Sequence, residues 1–257
     1  MFIPFGFMGG APAVGWTPAD IAKYWWTADA GVTIVPINDV SSWVDQVGGL
    51  TMTGGSGAGN PEGGPLITQA ALNNQKVIRF DGNSRWLERP PISFASDGYA
   101  FTCITVAYKD NGATTGTLIA QSLFAGAQGR FGFLTDIGTF NALGTNFTST
   151  TSPVLENPST TGVKVAAYEY DASGNGRVWF NDFNTPTALS GGSSNLDMYQ
   201  GSKLLYGAFN NSNGSSVQPS YFWEGDIAEV IWVPNVLSAG DIANLQTYIN
   251  TKYNLSV

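Results

Sequence analysis

From Val77 onward, short runs of β-branched and aromatic residues are broken at close intervals by Gly, Asn and Asp, a rhythm that few folds can accommodate. Residues 77–80 end at Asp81-Gly82-Asn83, and residues 101–108 end at Asp110-Asn111-Gly112. Residues 117–123 and 130–135 follow, parted by a stretch rich in Gly and Ala. Residues 163–170 and 177–181 flank Asp171-Ala172-Ser173-Gly174-Asn175-Gly176, the pattern of a hairpin with a longer loop. Residues 203–209 and 226–233 complete the series. Many short strands divided by turn residues predict an antiparallel sandwich or barrel. The 101–108 run is apolar on both faces, which predicts a central strand.

Composition agrees. Charged residues make up 12% of the 257, about half the usual ~25%. The 15 Phe, 10 Tyr and 8 Trp supply a core, so the low charge does not signal disorder. The net charge of −8 comes with no Lys/Arg cluster, which argues against nucleic acid and against anionic membrane surfaces as partners. No window of about 20 apolar residues offers a membrane span. The chain has no His, the commonest general base and transition-metal ligand near neutral pH. Cys103 is the single cysteine, sits in an apolar run and reads as a buried hydrophobe; no internal disulfide can form.

Both ends carry signals of their own. Residues 1–16 form an apolar arm containing Phe2, Ile3, Phe5, Phe7 and Met8, interrupted by Pro4, Gly6, Gly9 and Gly10, and lacking the basic start of a secretory signal. Two readings of the arm stand: a strand tucked against the domain's own core, or an extension that docks on a neighbouring subunit. Residues 17–24 suggest a short helix, with Thr17 as N-cap and Pro18 at the first helical position. At the other end, Ser238 and Asp241 resemble a capping box, and Ile242, Leu245, Ile249 and Tyr253 fall on one helical stripe. Residues 48–64 and 140–162 read as polar loops. The expected organisation is all-β: an arm at 1–16 and one antiparallel jelly-roll sandwich at 17–257, with a short N-terminal helix and a C-terminal helix.

Four short motifs carry a family resemblance. Gly225-Asp226-Ile227-Ala228-Glu229 leads through Leu237-Ser238 to Tyr248, Lys252 and Tyr253, and resembles the closing strand and helix of concanavalin A-like, laminin G-type jelly rolls. Trp26-Thr27-Ala28-Asp29-Ala30-Gly31 with Ser42-Trp43-Val44-Asp45 is similar to their opening strands, although Gln46-Val47-Gly48 departs from the usual continuation. Val77 to Gly82 and Tyr168 to Asn181 supply the third and fourth matches, with Asp182 where Gly is usual. Such domains occur in phage virion proteins and in surface lectin-like modules. The resemblance therefore implies a fold far more than a function.

Candidate chemistry is sparse. A retaining glycosidase needs two carboxylates about 5 Å apart. Glu169 and Asp171 could share a strand face, but they read better as solvent-facing strand-end residues. Asp226 and Glu229, an odd number apart, should point to opposite faces. Sugar binding needs an exposed ring flanked by polar groups, for which Trp86 with Asn83, Tyr199, and the pair Asn210 and Asn213 are candidates. No cofactor is expected. The resemblance leaves Ca2+ open, with Asp81, Asn83 or Asp97 as contributors and no firm ligand set.

The expected function is a non-enzymatic phage or virus particle protein: a capsid decoration, fibre or tail-associated jelly roll, made in the host cytoplasm. Its partners would be other virion subunits, held through the arm in a homo-oligomer, and host-surface glycans. The alternative is a cell-surface carbohydrate-binding or adhesion module.

Overall fold

The computed structural model describes residues 15–35, 39–56, 64–69, 72–111, 114–122, 131–136, 139–143, 154–156, 160–189, 197–198, 200–211, 216–218 and 220–257. Among these, seventeen strands build two antiparallel layers. They are β1 (Tyr24–Thr27), β2 (Val32–Val35), β3 (Asp39–Val44), β4 (Thr51–Ser56), β5 (Leu66–Gln69) and β6 (Lys76–Asp81). Next come β7 (Arg85–Arg89), β8 (Phe101–Lys109), β9 (Gly116–Gln121), β10 (Phe131–Asp136), β11 (Thr139–Leu143) and β12 (Val154–Glu156). The series ends with β13 (Gly162–Tyr170), β14 (Gly176–Phe180), β15 (Thr187–Leu189), β16 (Leu204–Tyr206) and β17 (Glu224–Val233), before helix α1 (Ala239–Tyr253).

The front layer runs β2-β3-β4-β7-β16-β9-β10-β11-β12. The back layer runs β5-β6-β17-β8-β13-β14-β15, and β1 pairs with the second half of β17 beyond the end of β6. One residue pair, Asp39 with Leu66, joins the two layers at an edge. The all-β sandwich expected from the turn rhythm is the observed fold.

Between the layers lies an aromatic core. Trp26 and Trp43 each meet Tyr206 edge-on, at centroid distances of 5.7 and 6.0 Å, and Phe131 lies 4.8 Å from Trp232. Buried indole N–H groups need acceptors. Trp26 donates to the Trp43 carbonyl at 3.0 Å, and Trp43 to the Thr27 carbonyl at 2.9 Å, so the two indoles satisfy each other's strands.

The back layer is buried on its outer face as well. Ile104, Val106, Val165, Ala167 and Ile231 point away from the front layer and pack against Leu245, Ile249 and Tyr253 of α1. A strand buried on both faces must be apolar throughout, which is why residues 101–108 show no alternation. Ser238 caps α1: its hydroxyl accepts from the Asp241 amide at 3.1 Å, and the Asp241 carboxylate accepts from the Ser238 amide at 3.1 Å.

Three local expectations are corrected. The N-terminal helix is a single 3-10 turn at Pro18–Asp20, because Tyr24–Thr27 is taken up as β1 by pairing with Glu229–Trp232. The supposed loop at 48–64 contains β4. Gly54 is a strand residue there because a Cβ would stand 2.3 Å from the Val40 carbonyl oxygen, so a close backbone approach requires it. Likewise, β12 lies inside the supposed loop at 140–162.

Candidate functional site

Strand β7 sits inside the front layer, between β4 and β16. Its alternation sends Leu87 into the core, fully buried, and turns Trp86 and Glu88 to the outer face. Gly55 is the cross-strand partner of Trp86. A Cβ on Gly55 would fall 2.4 Å from Trp86 Nε1 and 2.5 Å from its Cε2, so the indole lies directly over the glycine. A stacked Phe222, 6.0 Å away at 26°, supports the ring on another side, and Leu205, Ala208 and Val217 complete that apolar patch. Trp86 is half-buried, with part of the indole left to solvent.

Polar groups are fixed beside it. Trp86 Nε1 donates to Glu88 Oε2 at 2.9 Å, and Lys203 Nζ pairs with Glu88 Oε1 at 2.6 Å. Thr53 Oγ1, from the neighbouring strand, donates to the Glu88 carbonyl at 3.2 Å. An aromatic surface flanked by an acceptor and a donor suits a sugar: the ring takes the C–H face, and the charged pair takes hydroxyls. Glu88 and Lys203 were not singled out from the sequence. The signal was the i, i+2 spacing of Trp86 and Glu88 in a run that was not recognised as a strand.

Asn83 is exposed in the turn that leads into β7, three residues before Trp86. That turn is held by Asp81, whose Oδ1 accepts from the amides of Asn83, Ser84 and Arg85 at 3.0, 2.9 and 3.2 Å. Partial burial pushes the Asp81 carboxyl up, but these hydrogen bonds and that of the Ser84 hydroxyl outweigh it and hold the pKa below the ordinary value. Asn210 faces inward instead: it is 1% exposed, and its amide donates to the carbonyl of Lys203, the residue just before β16, at 2.8 Å. Tyr199 and Asn213 lie outside the described residues, as do Phe2, Ile3, Phe5, Phe7 and Met8 of the arm. The neighbours of Tyr199 are committed: Asp197 accepts from the Phe94 amide at 2.9 Å, and Gln200 donates to the Ile92 carbonyl at 2.9 Å.

The carboxylates considered for catalysis are tied into the framework. Glu169 is 3% exposed rather than solvent-facing; it accepts from Arg177 Nε at 2.7 Å and from the Leu237 amide at 2.7 Å, pinning the link between β17 and α1. Asp171 closes the β13–β14 turn by accepting from the Ser173 and Asn175 amides, both at 2.9 Å. Asp226 and Glu229 do not point to opposite faces. A bulge between Ile227 and Glu229 shifts the register, so Ala228 and Glu229 both turn outward, on the side of Asp226. Among the described residues, no three His, Cys, Asp or Glu side chains gather as a metal site. Asp97 is paired with Lys23.

No protein-family model matches the sequence, and no curated protein matches it. Solved structures do. Trypanosoma rangeli sialidase bound to a difluoro-KDN aligns with 94% of this chain at 12% identity and a TM-score of 0.57. The same sialidase in complex with sialic acid aligns with 98% at 13% identity and a TM-score of 0.53. The chain spans about a third of the length of these sialidases, 33% and 35% respectively. A heptameric pentraxin from Limulus polyphemus aligns with 56% of the chain at a TM-score of 0.43. These likenesses concern the fold. They also correct the expectation of a chain outside catalysis: the sialidases that align with nearly its whole length are enzymes, and a lack of His is no ground for setting catalysis aside.

Proposed function

We propose that this chain is a carbohydrate-binding sandwich module whose ligand lies on the outer face of the front layer, over Trp86. The observation that carries the reading is the placement of that indole. It rests on a glycine in the middle of the sheet, only partly open to solvent, with Glu88 and Lys203 paired beside it. A ring held this way loses little freedom on binding, so its stacking energy is not spent on ordering the site. Two further facts support the reading: the laminin G-type motifs in the sequence, and the likeness of fold to sialidases solved with sugar ligands. We place the module on a virus or phage particle or on a cell surface, where glycan binding would give adhesion.

A panel of immobilised glycans tests it. Binding by the full chain, lost at least tenfold in Trp86→Ala and weakened in Lys203→Met, is the expected result, and the intrinsic fluorescence of Trp86 should shift on binding. A blank panel, or binding that survives Trp86→Ala, overturns it. The same panel assayed for released sugar shows whether any bound glycan is also turned over.

A further inference from the structure

Trp86 stands at one end of a row of side chains that crosses four strands of the front layer. Thr33 of β2 is opposite Ser42 of β3, Ser42 is opposite Thr53 of β4, and Thr53 is opposite Glu88 of β7. Residues in register on one face of a sheet stand side by side. The row is on the outer face, because the residues that alternate with it, Trp43, Met52 and Leu87, are fully buried in the core. Thr33 and Thr53 are exposed, and Ser42 and Glu88 are partly exposed. Beyond Glu88 the row runs into Leu205, which is buried in the apolar patch that Trp86 shares with Phe222. The strip is therefore closed at the Trp86 end, while Thr33 at the other end is open to solvent.

The chemistry of this strip is that of hydroxyl groups. Thr33, Ser42 and Thr53 each offer a donor and acceptor lone pairs. Thr53 spends its proton on the Glu88 carbonyl at 3.2 Å and keeps its lone pairs for another partner. The only charges on the row are those of Glu88 and of Lys203 beside it, and they are paired at 2.6 Å. A carboxylated or sulfated sugar would meet no uncompensated cation here, whereas the hydroxyls of a neutral sugar find partners at every step. From β2 to β7 there are three strand spacings, about 14 Å, which is the distance between the first and last rings of roughly four linked hexose units.

We infer that the glycan bound over Trp86 is a neutral, linear oligosaccharide laid across the strands, its terminal ring on the indole and its following units over Thr53, Ser42 and Thr33. The inference rests on the glycan reading above and adds the charge, length and direction of the ligand. The terminal ring is the one at Trp86, because the apolar patch closes the strip there. The sheet ladder fixes the spacing of the hydroxyls before any ligand arrives, so each added unit meets a formed subsite and little ordering cost is left to subtract from its contacts. Affinity therefore grows with chain length until the strip is filled, and then stops growing.

Calorimetric titration of the full chain with cello-oligosaccharides and malto-oligosaccharides, from disaccharide to hexasaccharide, tests it, with oligogalacturonates of the same lengths as the acidic probe. In at least one neutral series the affinity should rise at least tenfold from disaccharide to tetrasaccharide and then level off, with the oligogalacturonates binding more weakly at every length. Thr33→Ala/Ser42→Ala should lose that rise while keeping the affinity of the wild type for the disaccharide, which also shows that the variant is folded. Trp86→Ala should lose binding at every length. Affinity that does not change with length, a rise that survives Thr33→Ala/Ser42→Ala, or tighter binding of the oligogalacturonates overturns the inference and leaves the glycan reading standing. So does a chain that ignores both neutral series but binds other glycans through Trp86. A chain that binds no glycan at all overturns both.

Discussion

Tyr253, near the end of α1, donates its hydroxyl to Glu229 Oε2 at 2.5 Å, and Glu229 is wholly buried in the back layer. The same carboxylate accepts from Tyr248 at 2.7 Å, from Lys252 at 3.2 Å and from the indole of Trp25. Burying a lone carboxylate would cost several kcal/mol, but four donors from α1 and β1 offset that cost. The helix is therefore fastened by one charge as well as by its apolar stripe. Tyr253→Phe should lose about 1.5–3 kcal/mol, the range for a hydrogen bond to a charged group. Glu229→Ala should lose about 3–5 kcal/mol, because it strands the two tyrosine hydroxyls and the Trp25 indole, while Lys252 keeps Asp29 and Thr27, each at 2.9 Å. Urea unfolding followed by tryptophan fluorescence measures both, and a loss in Glu229→Ala no greater than that in Tyr253→Phe would refute the arrangement.

Asp226 makes stability depend on pH in an unusual direction. Its carboxylate is held by Arg79, Nε to Oδ1 at 2.6 Å and Nη2 to Oδ2 at 3.0 Å, yet burial outweighs that attraction and raises its pKa from 3.8 to about 6. A carboxyl whose folded pKa lies above its unfolded value favours the folded state when protonated. Its contribution is present below pH 4 and is lost as the pH rises to 6. The loss is about 3 kcal/mol at 1.36 kcal/mol per pKa unit. The difference in unfolding free energy between the wild type and Asp226→Asn should therefore shift against the wild type between pH 4 and pH 7. A difference that stays constant across that range would remove the titration from Asp226.

These two carboxylates also mark where the sequence could and could not be read. The turn rhythm, the two-faced apolar run of β8 and the stripe of α1 are local patterns, and each appears where expected. The bulge at Ala228 leaves no local trace, so counting by twos put Glu229 on the wrong face. Gly54 and Gly55 read as loop because nothing near them in sequence reveals Val40 or Trp86, which need the space. Lys203 comes to Glu88 from 115 residues away, so half of the candidate site was invisible until β16 was placed beside β7.

Gly55 links fold to site. A side chain there would displace the Trp86 indole, a movable group, rather than backbone. Gly55→Val should therefore keep the sandwich folded while tilting the ring off the strand. Glycan affinity should fall by at least tenfold, with the unfolding midpoint close to that of the wild type. Circular dichroism melts alongside binding to the best ligand of the panel separate the two effects. Retained affinity would show that the ring's position over Gly55 is not what the ligand uses.

Lys109 offers the converse of Asp226. It is fully buried at the end of β8, with Nζ 2.9 Å from Thr114 Oγ1 and 4.5 Å from the centre of the Trp223 ring. Burial dominates, and although Glu224 and Asp110 favour the ammonium, its pKa falls from 10.5 to about 8. A base whose folded pKa is depressed destabilises the fold while it is charged, and relieves that cost as it loses its proton. The shift corresponds to about 3 kcal/mol, present at neutral pH and removed as the pH rises from 8 to 10.5. Lys109→Met keeps most of the aliphatic volume beside Trp223 and carries no charge. It should be more stable than the wild type at pH 7, and its advantage should shrink steadily toward pH 10. Guanidinium unfolding at both pH values decides the matter: a variant less stable at pH 7, or an advantage that does not change with pH, would mean that the hydrogen bond to Thr114 and the contact with Trp223 outweigh the burial of the charge.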